Sequence, residues 1–328
     1  MLIDTYLSGS ERAAPESAAA QAAGYDGAFT GEVNADPFLP LAIAATATER
    51  IDLGTSIAVA FARSPMTLAY TAWDLQRLSR GRFMLGLGSQ VKAHITRRYS
   101  MAWGRPVAQM REFLLAMQAI WYSWDSGEPL FFDSEHYQHT LMPANFVPAS
   151  HGFGPPKVLV AGVGDTMTAM AGEVADGFLC HAFTTERWFR EHTLPALHTG
   201  LVRAGKSPAD FTIKASTYLA TGTDEQITVA LDEIRGQIAF YASTPAYQPL
   251  LELHGWGEIG VELIRMSKAG QWARMGALVD DDMVAEFAVV GSIEEVPALL
   301  DKRYAGVLDR VAFLVQEPSP ELREALRH

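Results

Sequence analysis

A (β/α)8 TIM barrel with insertions, of class α/β, is the fold this sequence predicts, and three observations predict it. The first is a strand, capped helix, glycine stop and strand in succession: Gly54–Ala60, then Ser64-Pro65, then Gly81–Gly88. Strands that feed helices through such signals build a parallel sheet. The second is spacing, since candidate strands begin at residues 2, 25, 51 and 82, a rhythm suited to βα units. The third is an absence. A doubly wound sheet carries a phosphate fingerprint in its first βα turn, and here that turn reads Ser8-Gly9-Ser10.

The elements follow in order. Leu2–Leu7 is the first strand; Ser10 is placed to cap the next helix, with Pro15 in its first turns and Gly24 ending it. Tyr25–Phe29 is the second strand, and Asp36-Pro37 opens the second helix. Ile51–Ala60 is the third strand. Ser64-Pro65 opens a helix with Leu68, Ala72, Leu75 and Leu78 on one stripe. Arg82–Gly88 is the fourth strand. Pro106–Trp124 repeats Val107, Met110, Phe113, Leu114, Met117 and Trp121 at helical steps. The rhythm then breaks over Asp125–Pro156, with a small hairpin expected at Phe131–Thr140; so long a loop is usually a lid or a binding loop. It returns with Lys157–Ala161, a helix at Thr166–Ala175, Gly177–Ala182, a helix at Trp188–Ala204, Phe211–Thr221 and a helix at Asp224–Tyr241. A second break, rich in Pro, Tyr and Gly, starts at Ala242 and leads through further helices to about Phe287. Arg310–Val315 is the eighth strand. The chain reads as one domain, 1–328, with excursions at about 125–156 and 242–290.

Composition narrows the function classes. With 328 residues, 48% apolar and 20% charged, the chain is globular and long enough for a barrel of about 250 residues plus insertions. A net charge of −12 argues against a nucleic-acid partner, whose phosphates require a basic face. The lone Cys180 allows no internal disulfide and no thiolate zinc site. No signal peptide or 18-residue apolar run is present, so a cytoplasmic protein without a membrane partner is expected.

Several segments are candidates for chemistry. Ala161-Gly162-Val163-Gly164 follows a strand and opens a helix, so its amides can cradle a phosphate, or it is a plain tight turn; Met167 stands where a third glycine belongs. Gly86-Leu87-Gly88-Ser89-Gln90 ends the fourth strand, and barrel active sites lie at such ends. Beyond it Lys92, His94, Arg97, Arg98, Arg105 and Arg111 form the densest basic patch, either an anion receiver or a solvated helix face. Glu32 follows the second strand. His94 can hydrogen-bond a ligand or transfer a proton. The aromatic segments Tyr241–Tyr247 and His254–Gly257 either line an apolar pocket or pack helix ends. His136 and His139 lie three apart without a further ligand cluster, and no metal is proposed.

The chain resembles the luciferase-like monooxygenase superfamily, and within it the coenzyme F420-dependent oxidoreductases. The resemblance is carried by Leu53-Gly54-Thr55-Ser56-Ile57, Ser64-Pro65, Leu78-Ser79-Arg80-Gly81-Arg82-Phe83-Met84-Leu85-Gly86-Leu87-Gly88, Pro155-Pro156-Lys157-Val158 and Ala175-Asp176-Gly177. It implies a deazaflavin ring at the C-terminal mouth of the barrel, resting on a bulge at Ser56-Ile57-Ala58 that holds a cis peptide. It further implies that Glu32, the segment Gly88–His94 (with Gln90 and Lys92) and Ala161–Gly164 surround ring and tail, and that Glu32 and His94 are the catalytic candidates. The implied reaction is hydride transfer between the deazaflavin C5 and a small-molecule substrate, and the implied assembly is a homodimer. The alternatives are an FMN-dependent monooxygenase on the same barrel and a flavin- or deazaflavin-binding protein without turnover. Two positions depart from the sugar-phosphate dehydrogenases of the family: Val91 replaces an acid, and Glu32-Val33 replaces an aspartate-histidine pair.

Overall fold

Eight parallel strands close on themselves in the computed structural model, which describes residues 1–327. They are β1 (Leu2–Tyr6), β2 (Gly27–Thr30), β3 (Asp52–Thr55), β4 (Phe83–Gly88), β5 (Lys157–Ala161), β6 (Gly177–Cys180), β7 (Thr212–Ala220) and β8 (Arg310–Leu314). Each pairs with its sequence neighbours, and β1 pairs with β8 to complete the ring. This is the (β/α)8 TIM barrel the sequence predicts, with strand ends shifted by one or two residues except in the third strand, expected to run unbroken over Ile51–Ala60 and interrupted after Thr55.

The helices follow from local signals. Ser64 accepts the Thr67 amide at 3.1 Å and Pro65 follows it, which starts the helix Pro65–Leu78. Asp36 likewise accepts the amides of Phe38 and Leu39. Helix Pro106–Ser126 buries Met110, Phe113, Leu114, Met117 and Trp121 and stops at Gly127, whose φ is +74°. The expected cap at Ser10 does not form. The first helix begins at Ala13, and Glu16 reaches back to the amide and hydroxyl of Ser8 instead.

The excursion at 125–156 is a strap along the barrel's outer surface. Its hairpin pairs Phe132–Asp133 with Gln138–His139. Tyr137 then packs on Phe113, Tyr70 donates to the Phe146 carbonyl, and Trp73 donates to the Ala149 carbonyl. These bonds seat it along helices Pro65–Leu78 and Pro106–Ser126, with Tyr137 packed inward and Phe131 and Phe146 left exposed. Within it His136 bonds Glu112 through Nδ1 at 2.9 Å.

Two irregularities shape the C-terminal end of the barrel. The third strand breaks after Thr55 and resumes as Ala58–Val59, which pairs with Leu87 and Gly88. Thr55 bridges the interruption, its hydroxyl donating to the Gly86 carbonyl at 2.7 Å and accepting the Gly86 amide at 2.9 Å. On the far side, β6 leaves β7 after Cys180. Ala288–Val290 takes the freed edge of β7 beside Tyr218–Ala220. The insertion before it folds as helices Gln248–Leu253, Gly257–Lys268, Trp272–Met275 and Asp281–Phe287 against this departure point.

Inside the barrel, Phe29, Met84, Leu159 and Leu179 form a separate apolar layer. Gly54 makes room for it, since a Cβ there would meet the Phe29 ring at 2.5 Å. Toward the N-terminal ends lies a charged plug. Arg310 binds both oxygens of Asp4 at 3.1 and 2.7 Å and Asp52 at 2.8 Å, while the Lys214 ammonium lies 3.7 Å from Asp4 and 4.4 Å from the Phe29 ring centre. Burial works against the charge on Arg310, but Asp4 and Asp52 outweigh it and raise its pKa. Among the described residues no helix is long and apolar enough to cross a membrane.

Candidate active site

At the C-terminal mouth, Tyr6, Ile57 and Ala161 lie half-buried on the interior layer and form the floor of a depression. Ile57 arrives there through the break in the third strand, where the Ser56–Ile57 peptide is cis, as the resemblance implied. Gly88 borders the same spot, because a Cβ there would come within 3.0 Å of the Ile57 side chain. Tyr6 ties the floor together, its hydroxyl lying 3.2 Å from the Ser56 hydroxyl and 2.7 Å from that of Ser216 on β7.

The bulge is held from β2. Glu32 accepts the Val59 amide at 2.7 Å and the Arg63 guanidinium at 2.7 Å on one oxygen, and the Tyr99 hydroxyl at 3.0 Å on the other. Its backbone amide donates to the Ile57 carbonyl at 3.0 Å, and the Ser56 amide donates to Thr30. Both carboxylate oxygens are therefore engaged in positioning the bulge. Ala58, wholly buried, starts the resumed strand.

Gly162 and Val163 are half-buried at the end of β5, and Gly164 caps the helix Asp165–Val174. No side chain caps this helix, so its first-turn amides are free. A Cβ on Gly164 would meet nothing within 4 Å, whereas one on Gly162 would meet Met167 at 2.8 Å. Gln90 follows β4 with φ at +58°, and Val315 follows β8 with φ at +75°. Such conformations are uncommon for residues other than glycine and gather at functional sites.

The basic patch read from the sequence is smaller in three dimensions. Arg111 pairs with Glu173, Arg105 with Glu135, and Arg98 donates to the Val33 carbonyl at 2.5 Å. Lys92, His94 and Arg97 remain exposed on the short helix Lys92–Arg97. Tyr99, just beyond, links that helix to Glu32. Two surface clefts of about 620 and 590 Å³ lie elsewhere, one beside Ala288–Val290 and Arg303, the other at the N-terminal ends near Met1 and Asp52.

A profile described as luciferase-like monooxygenase matches residues 9–310. The chain belongs to the luciferase-like monooxygenase family. An uncharacterized protein of Mycobacterium tuberculosis is 47% identical over 311 residues, covering 94% of this chain and 92% of that one. The 5,10-methylenetetrahydromethanopterin reductase of Archaeoglobus fulgidus is 26% identical over 286 residues, covering 85% of this chain and 81% of its own. The solved structure of coenzyme F420 dependent tetrahydromethanopterin reductase from Methanopyrus kandleri shares the fold, with a TM-score of 0.80 at 20% identity, covering 99% of this chain and 96% of that one.

In this luciferase-like barrel the sequence reading missed Tyr6, Ser216 and His181. His181 follows β6, with Tyr241 at 4.4 Å and Tyr247 at 5.6 Å between ring centres. These two tyrosines come from the segment read as a possible pocket lining, while His254 turns away to Thr185 at 2.8 Å and stacks on Trp256. One signal was available. Gly177, Leu179 and His181 alternate along β6, and a residue in step with the interior at a strand's C-terminal end faces the mouth. Cys180, out of step, is buried, and burial pushes its thiol up to about 12, so it is no nucleophile.

Proposed function

We propose that this chain is a coenzyme F420-dependent oxidoreductase that moves a hydride between C5 of the deazaflavin and a carbon of a small organic substrate. The observation that carries the reading is the interrupted third strand, which lifts Ile57 onto the mouth floor beside Tyr6, Ala161 and the side-chain-free Gly88. An apolar, shallow floor of this kind suits one face of a flat ring. Two further features fit the rest of the coenzyme. The uncapped helix start at Gly164 suits its phosphate. The exposed Lys92, His94 and Arg97 suit its anionic tail. The reductase names among the relatives and structural neighbours support the same reading.

When bound, the deazaflavin supplies the hydride acceptor or donor. The protein's own residues do the rest. Glu32, through Val59, Arg63 and Tyr99, holds the bulge at a fixed height, and Tyr6 locks it from below through Ser56. Phe29, Met84, Leu159 and Leu179 keep water from beneath the floor.

Titration followed by ring absorbance or fluorescence tests the cofactor. Coenzyme F420 is expected to bind about tenfold tighter than FMN, the worth of one or two well-placed ion pairs, and to lose that advantage as salt is raised. FMN binding as tight or tighter selects the monooxygenase reading instead.

Gly164→Val tests the phosphate site separately. Its φ of −89° and the open space around it let the fold accept valine. The added methyls stand before the free amides, so F420 affinity is expected to fall about tenfold with the melting temperature unchanged. Unchanged affinity would make the turn merely structural.

A further inference from the structure

A buried cation lies just beneath the mouth floor with no hydrogen bond to hold it. Lys214 stands on β7 two residues before Ser216, the floor partner of Tyr6, so it enters the barrel one interior position below the mouth. It is 1% exposed, and its Nζ has no hydrogen-bond partner among the described residues. Asp4 lies 3.7 Å away, but Arg310 already binds both its oxygens, at 2.7 and 3.1 Å. The ammonium otherwise faces rings, with the centre of Phe29 at 4.4 Å and that of Tyr6 at 5.3 Å. Burying an ammonium whose N–H groups are unpaired is costly. Packing does not call for it, since Phe29, Met84, Leu159 and Leu179 fill the same interior with apolar groups. The plug holds two negative and two positive charges, and they are not evenly placed. Asp52 reaches solvent at the N-terminal ends, whereas Lys214 is the member that lies against a floor ring. The positive end of the plug therefore faces the mouth.

We propose that Lys214 sets the electric field at the mouth floor and stabilises the negative charge that hydride transfer places on the coenzyme ring. This rests on the F420 reading above, which supplies the ring. When hydride moves toward the coenzyme, a C–H bond of the substrate breaks with its electron pair, and that pair forms the new bond at C5. The ring system gains one negative charge, and the substrate, having lost hydride, releases a proton to solvent. Lys214 exchanges no atom in this step. With Tyr6 between it and the mouth, it acts through its field and touches neither reactant. The apolar layer around it lets that field reach the floor, and salt does not enter to screen it. The exposed Lys92, His94 and Arg97 act through water instead, and salt weakens them.

The hydroxyl group on the oxidised deazaflavin ring reports this field, because its ionisation also places negative charge on the ring and changes the absorbance. Oxidised F420 is titrated with pH in the presence of saturating protein. In Lys214→Met the ionisation midpoint is expected to rise above the wild-type value by about one pH unit, a tenfold change in the ionisation constant. A unit charge acting over about 10 Å at an effective dielectric of about 20 has about this effect. Asp4 keeps Arg310 in this variant, so the fold retains its buried pair. Lys214→Arg, which keeps the charge, should stay near the wild-type midpoint. The wild-type protein gives a readout free of any folding defect: its bound midpoint should lie below that of free F420 and stay below it as salt is raised. A wild-type shift that vanishes with salt, or an unmoved midpoint in Lys214→Met, overturns the proposal and assigns the field to the exposed cations. Failure of F420 to bind the wild-type protein overturns the parent reading, and the proposal falls with it; the two failures are separately visible.

Discussion

Arg310→Met is expected to lower the unfolding free energy by about 3–5 kcal/mol, the cost of leaving a buried ion without its partner. Asp4 is fully buried and Arg310 nearly so. Without the guanidinium, Asp4 keeps only the Lys214 ammonium at 3.7 Å, beyond hydrogen-bonding reach, and Asp52 loses its partner as well. Urea denaturation measures the effect. The triple variant Asp4→Leu, Lys214→Met and Arg310→Met should regain most of the loss, because it removes all three buried charges and their desolvation cost, whereas a double variant without Asp4 and Arg310 leaves Lys214 buried with no carboxylate. A loss below about 1 kcal/mol in the single variant would mean that water reaches the plug and shares the charge.

Acid is expected to destabilise the protein through His181 well before carboxylates titrate. In the unfolded chain a histidine titrates near 6.5; in the fold, burial holds this one down to about 4. The folded pKa is the lower one, so the unfolded state binds the proton more readily. The stabilisation is complete above pH 6.5 and is lost as pH falls toward 4. The full shift corresponds to about 3 kcal/mol, and the water that reaches the ring edge at the mouth reduces this to about 2 kcal/mol. The difference in unfolding free energy between wild type and His181→Phe, followed from pH 8 to 4.5, isolates it. Loss of the acceptor for the Phe183 amide adds an offset that does not vary with pH. His139, His151 and His254 are also held down by burial, and they cancel in the comparison. A difference that is flat across this window would show the imidazole to be solvated.

The reading of the barrel from the sequence succeeded where the signals are local. Ser64-Pro65, Asp36-Pro37 and Gly24 act within a few residues of themselves, and each starts or stops a helix where expected. Local signals failed where a longer reach competed. Ser10 lost its capping role because Glu16 folds back to Ser8, two residues earlier. The excursion at 125–156 is seated by Tyr70 and Trp73, on a helix some 76 positions away in sequence.

From its residues alone this chain determines a parallel barrel, because strand, cap and glycine stop recur at a spacing only βα units satisfy. Resemblance adds the break at Ser56–Ile57. The tertiary structure decides which side chains meet at the mouth. Tyr6 reaches Ser216 from 210 positions away, Asp4 meets Arg310 from 306 positions away, and Tyr241 and Tyr247 cover His181 from beyond the next strand. It also decides that Glu32 is committed to Val59, Arg63 and Tyr99, and that Arg105 and Arg111 leave the basic patch for Glu135 and Glu173. The physical reason is common to all of these. Closing the ring brings the ends of eight distant strands to one mouth. A carboxylate, an imidazole or a guanidinium takes its role from the partner it finds there, and that partner is set by the closure of the barrel.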